Sequence, residues 1–243
     1  MKIYSNINTK SVTRKAGVRL TEMLHKIKGA ILLLLSGGSS FDILNHVDVS
    51  VIDARVTLGL LDERYTSDVS KTNMLSLLRS PFFISALRNG ANLIDPTTGY
   101  KESIKDVADR LDRSYKKWII EYKNGSIICT AGIGQDGHTA GIFPLPGNEN
   151  GFRNLFINTN NLVIGYSAPG PSQASDRVSS TIPFLKKATS VILYAIGVDK
   201  RSALERLCDT RGKIEDTPAR VYRELDSSRV CLFTDQTTLR YAL

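Results

Sequence analysis

The sequence predicts an α/β protein, a three-layer α/β/α sandwich around a mostly parallel, Rossmann-like sheet. Three observations carry that prediction. Short apolar runs alternate along the chain with segments of helical period. The runs are apolar at nearly every position, as parallel strands covered on both faces are. Residues able to do chemistry gather just after the runs, where open parallel sheets place their ligands.

Each element follows from its residues. Val12, Ala16, Leu20, Met23, Leu24 and Ile27 recur at helical spacing over residues 9–28 and predict a helix on one sheet face, ended by Gly29. Residues 30–35, Ala-Ile-Leu-Leu-Leu-Leu, form a buried strand. Ser36-Gly37-Gly38-Ser39-Ser40 follows directly, and Phe41, Ile43, Leu44 and Val47 then predict a short helix. Residues 55–61 give the next strand, with Asp62, Glu63, Arg64 and Tyr65 packed at its end and Asp68 and Asn73 shortly after. Residues 74–87 read as a helix interrupted near Pro81, and 91–94 as a short strand. The amphipathic pattern over 103–122 predicts a helix whose Trp118 belongs to the core. Strands are expected at 126–131, 162–166, 191–196 and 230–235, and a Pro/Gly/Ser loop at 167–175. Gly197-Val198-Asp199-Lys200 joins the third of these strands to a helix over 201–208, and Thr217-Pro218 opens a last helix. With no repeat and no linker, residues 1–243 read as a single domain.

Composition narrows the function classes. The chain is 42% hydrophobic and 23% charged, as a globular protein is. Its longest strongly apolar run, 30–35, is too short to cross a bilayer, and its first residues lack the apolar segment of a signal peptide. Cys129, Cys208 and Cys231 are widely spaced and form no metal or redox motif; two lie within apolar runs and read as core residues, and a reducing cytoplasm is the expected home. The net charge of +8 is scattered, without a basic run or interleaved aromatics. That argues against a nucleic-acid binder and suits a small anionic ligand. Neither nucleic acid nor membrane is an expected partner, and the expected state is a monomer or weak homo-oligomer.

The candidate chemistry centres on Gly132-Ile133-Gly134-Gln135-Asp136-Gly137-His138-Thr139-Ala140, after the 126–131 strand. The glycines allow a sharp turn and close approach to a ligand. His138 and Asp136 are its acid–base residues, and an imidazole can take a proton from water near neutral pH. A hydrogen-bonded structural histidine is the competing reading; the glycine-dense strand end and neighbouring carboxylate favour function. Gly37, Gly38, Ser39 and Ser40, between a strand and a helix start, form a candidate phosphate cradle of free N–H groups. The run is neither a P-loop nor a dinucleotide fingerprint. Arg64 is balanced between a two-point phosphate contact and a surface ion pair with Asp62 and Glu63. Lys200 taken alone is a solvated lysine at a helix start. His25 and His46 complete no cluster with metal-site spacing.

Residues 132–144 spell Gly-x-Gly-x-Asp-Gly-His-Thr-Ala-x-x-Phe-Pro and resemble the signature of 6-phosphogluconolactonases, whose superfamily includes glucosamine-6-phosphate isomerases. The likeness extends to the Gly37–Ser40 loop, Asp-Glu-Arg at 62–64 with Asn73 beyond it, Arg177-Val178-Ser179, Gly197-x-x-Lys200, Pro218-Ala219 and a final strand ending in Asp235. Ser179 stands where the family usually has threonine, and the loop before Arg177 lacks the usual proline pair. Arg64 separates this chain from the isomerases, which carry Asp-Glu-Tyr. The resemblance implies hydrolysis of 6-phosphoglucono-1,5-lactone in the oxidative pentose phosphate pathway, with His138 as general base on water and Asp136 orienting it. It implies phosphate binding by Gly37, Gly38, Ser39, Ser40, Arg64, Lys200 and Arg177, and hydroxyl contacts from Asp62, Asn73 and Gln135. Backbone N–H groups of the glycine loop would meet the oxyanion, and neither metal nor cofactor is implied. Two other readings stay open: an amino-sugar phosphate isomerase/deaminase, for which residues 139–144 supply no carboxylate, and a non-catalytic sugar-phosphate-binding regulator.

Overall fold

The structure is a computed structural model that describes residues 1–168 and 176–238. In chain order its elements are β1 (Lys2–Ser5), α1 (Thr9–Lys26), β2 (Ile31–Leu35), β3 (Val56–Leu60), β4 (Asp62–Arg64), α2 (Asn73–Leu78), α3 (Pro81–Arg88), β5 (Asn92–Leu93) and α4 (Ile104–Glu121). They continue with β6 (Ser126–Gly132), α5 (Glu149–Phe152), β7 (Val163–Ser167), β8 (Asp176–Ser180), α6 (Ile182–Leu185), β9 (Ser190–Ala195), α7 (Arg201–Cys208) and β10 (Val230–Thr234).

Seven strands form one sheet in the order β1-β10-β9-β6-β2-β3-β5, and every pair in it is parallel. The all-apolar strand β2 explains why the sheet is covered on both sides. Its side chains alternate, so Leu32 and Leu34 enter one core while Ile31, Leu33 and Leu35 enter the other. The first core also holds Leu111, Tyr115 and Trp118 of α4 and Leu204 and Leu207 of α7. The second holds Val12, Leu20 and Leu24 of α1 and Phe82 and Phe83 of α3. This is the α/β/α layering expected from the sequence.

Local signals set the element ends. The Asn8 side chain caps α1 by accepting the Ser11 N–H, and Ser103 and Asp106 form a reciprocal capping box on α4. Pro81 stands at the start of α3, which separates it from α2. Arg220 and Arg223 donate to the carbonyls of Arg206, Leu207 and Asp209 at the end of α7, where cations are favoured.

Four features differ from the sequence expectation. Residues Lys2–Ser5 form an edge strand paired with β10. The short helix after the glycine pair is a 3₁₀ helix that begins already at Gly38, and the last helix is a 3₁₀ turn over Pro218–Arg223. Most consequential is a second sheet, antiparallel, in the order β4-β8-β7. Arg64 therefore lies within a strand of that sheet rather than in a loop after β3. The expected loop at 167–175 lies mostly outside the described residues.

Candidate active site

The carboxyl ends of β2, β6 and β9 point to one edge of the large sheet, and β4 closes over it. A cleft of about 200 Å³ opens there, lined among others by Gly37, Ser40, Asp62, Arg64, His138 and Lys200. Arg64 and His138, from motifs far apart in the chain, thus face a common space.

On one side lies the loop after β2. Gly37 precedes the 3₁₀ helix without a side-chain cap, and Gly38 is left-handed at φ 66°. The first N–H groups of that helix therefore remain available to an anion. Gly37 is required for a packing reason, because a Cβ there would fall inside the Asn73 carboxamide. Asn73 is bonded at both ends of its carboxamide. Its Oδ1 accepts from Arg64 Nη1 at 2.6 Å and its Nδ2 donates to the Asp62 carbonyl at 3.0 Å. It lines the cleft, and among the described residues the second Nδ2 proton has no acceptor.

Arg64 also gives Nη1 to the Lys71 carbonyl at 2.9 Å. Among the described residues its bonds use that one nitrogen, leaving Nε and Nη2 for a ligand. Lys200 follows β9 and stands 3.3 Å from Asp199. Gln135 does not line the cleft; its side chain donates to the same Asp199 carboxylate at 2.8 Å.

The glycine loop after β6 presents the imidazole. His138 Nδ1 meets Asp136 Oδ1 at 2.6 Å, and the His138 N–H donates to the same oxygen at 3.0 Å. A Cβ on Gly134 would occupy the imidazole's place, and Gly137 is left-handed at φ 92°. Burial would push the Asp136 carboxyl up, but the hydrogen bond and charge of His138 hold it below the usual aspartate range. Phe143 packs on the imidazole at 4.3 Å between ring centres. Some of the loop's N–H groups are already used within the protein. Gly134 gives its N–H to the His138 carbonyl, Gly137 to Gly134, and Gly141 to Ser179 Oγ, so these three are not free for an oxyanion.

Arg177 is buried directly across the second sheet from Arg64, 5.6 Å from the Phe143 ring. Among the described residues its Nε and Nη1 have no hydrogen-bond partner, and it does not line the cleft. Burial lowers its affinity for its proton, and the Asp62 carboxylate opposes that. Asp62 lines the cleft; burial pushes its carboxyl up against the pull of Arg177, Arg64 and His138.

Sequence reasoning passed over Tyr194 and Tyr166 and gave Ser179 no role in the site. Tyr194 lines the cleft and bonds Thr13 of α1 at 2.6 Å; its place on an apolar strand hid it. Tyr166 and Ser179 rivet the His138 loop to the second sheet, Tyr166 Oη donating to the Gly141 carbonyl at 2.6 Å and Ser179 Oγ accepting its N–H at 3.1 Å. Glu63 joins no ion pair with Arg64; it accepts backbone N–H groups. Among the described residues, no group of three or more His, Cys, Asp or Glu side chains is placed to hold a metal ion.

The parallel sheet and the cleft at its carboxyl edge, with Arg64 and Lys200 in its lining, place the chain among α/β proteins with a ligand-sized cleft at a sheet edge. The profile of the family described as glucosamine-6-phosphate isomerases/6-phosphogluconolactonase matches residues 8–231, and the chain belongs to that family. A 6-phosphogluconolactonase of Borreliella burgdorferi is 33% identical over 186 residues, covering 76% of this chain and 68% of the relative. The Rattus norvegicus 6-phosphogluconolactonase is 25% identical over 95% of this chain and 88% of its own length. The crystal structure of a 6-phosphogluconolactonase from Shewanella baltica superposes with a TM-score of 0.74 at 17% identity, covering 96% of both chains, a likeness of fold.

Proposed function

We propose that this chain hydrolyses 6-phosphoglucono-1,5-lactone to 6-phosphogluconate. The observation that carries the reading is the common cleft of Arg64 and His138, with an uncapped glycine loop at one end and a carboxylate-bound imidazole at the other. The two relatives bear the name of that activity. The family's other activity is separated by Arg64 and by the lack of a carboxylate in residues 139–144.

In this mechanism the phosphate sits on the N–H groups after Gly37, clamped by the free edge of Arg64 and met by Lys200. The Asp136 bond fixes the imidazole with its proton on Nδ1, which leaves Nε2 as the base. Nε2 takes a proton from water as the water oxygen bonds C1 of the lactone. Collapse of the tetrahedral intermediate breaks the bond between C1 and the ring oxygen, which takes the proton back from Nε2. The product is the open-chain carboxylic acid, which ionises. A lactone is an activated ester, so one base and a positioned phosphate suffice. Buried, unpaired thiols at Cys129, Cys208 and Cys231 are in keeping with work in a reducing cytoplasm.

The test is acid release from freshly prepared lactone by the wild type and by His138→Ala. The wild type should turn over, and the variant should lose roughly 100- to 10,000-fold in kcat while melting normally. Undiminished turnover by the variant removes His138 from the role. Glucosamine 6-phosphate should be inert; its conversion would move the chain to the isomerase branch.

A further inference from the structure

Glu63 is the member of the Asp62-Glu63-Arg64 run that does not line the cleft, and it is only 4% exposed. Its Oε1 accepts the N–H of Arg64 at 2.6 Å and of Asn73 at 2.7 Å, and its Oε2 accepts the N–H of Met74 at 2.7 Å. Asn73 and Met74 open α2, so a carboxylate on β4 satisfies the first donors of a helix that starts well beyond it in sequence. Each of those bonds has a charged acceptor and is stronger than a neutral one.

The same elements are then joined a second time by side chains. Arg64 Nη1 bonds Asn73 Oδ1, and Asn73 Nδ2 bonds the Asp62 carbonyl. The Asn73 carboxamide fills the space that a Cβ on Gly37 would need. One buried carboxylate therefore sets the mutual placement of three parts: the strand with Arg64, the helix with Asn73, and the loop with Gly37. We propose that Glu63 is a positioning residue that keeps the Arg64 guanidinium in register with the Gly37 loop and so sets affinity for the ligand's phosphate. It touches no ligand itself. The inference rests on the phosphate reading of that loop given above.

Glu63→Gln keeps the shape and one acceptor oxygen but points an NH₂ at a backbone N–H. Kinetics on the lactone and calorimetry with inorganic phosphate test the idea. Expected for Glu63→Gln is a KM raised about tenfold or more with kcat retained, and a matching fall in phosphate affinity. Glu63→Asp, which keeps the charge and loses reach, should fall between. A purely structural role would lower kcat through loss of folded enzyme and leave KM and phosphate affinity alone, and that result overturns the proposal. If the wild type does not turn over the lactone, the lactonase reading falls, and the phosphate affinities still judge Glu63: a tenfold loss supports it, equal affinities or no binding by either protein overturn it. Should Glu63→Gln lack a cooperative melt, Glu63→Asp takes its place under the same criteria.

Discussion

At the scale of single residues, the site depends on two glycines whose absent side chains are occupied by others. Gly37 makes room for Asn73, and Gly134 for the imidazole of His138. Gly37→Ala should push Asn73 off Arg64, raising KM for the lactone severalfold and costing about 1–3 kcal/mol in urea melts. Gly134→Ala should instead displace His138 and lower kcat, since the base rather than the anion grip moves. The Asp136 carboxyl gives a pH test. It is held below the usual aspartate range in the folded protein, so its stabilising share is present above about pH 4 and is lost as the pH falls through its lower native value. The stability gap between wild type and Asp136→Asn should therefore close on acidification in that window, as urea melts at stepped pH would show. His138 and Gly37 were legible because each follows an apolar run that can only be a strand. Gln135 was not, because sequence does not say which way a side chain leaves a turn; here it leaves toward Asp199. Glu63 was hidden by its neighbour: Glu beside Arg reads as an ion pair until the chain folds α2 back onto it.

Among the elements, the large sheet was readable apart from its edge strand β1, and of the small sheet only β7 was. β2 is apolar throughout and β3, β6, β9 and β10 are mostly so, which marks buried parallel strands. β4 is three residues of Asp-Glu-Arg and β8 reads Asp-Arg-Val-Ser-Ser, so neither carries a strand pattern. They exist because tertiary pairing overrides weak local preference. That sheet is anchored to the helical layer by Asp112 of α4. Its buried Oδ1 accepts the N–H of Leu162 at 2.6 Å and of Val163 at 3.4 Å where β7 begins. Asp112→Ala should leave both N–H groups without an acceptor and destabilise the protein by about 1–3 kcal/mol. Because β7 carries Tyr166, which holds Gly141, kcat should fall as well. A variant equal to wild type in both melts and turnover would remove Asp112 from this role.

For the molecule as a whole, both cores meet along the central strands, and Cys129 sits where no solvent reaches. Burial pushes its thiol up to about 12. A disulfide reagent should therefore label Cys129 only when the whole sheet opens, so its labelling rate should follow global unfolding and rise with urea. Rapid labelling of Cys129 in native buffer would contradict the packing. The two sheets have a further consequence. The cation at 64 rides on the small sheet and the imidazole at 138 on the large one, yet Tyr166 and Ser179 weld the seam between them. The gap is consequently a gauge of fixed length. On the lactonase reading, an ester whose anionic tail is one carbon shorter should seat at either end but not at both, which would make the gap a measure of the guest.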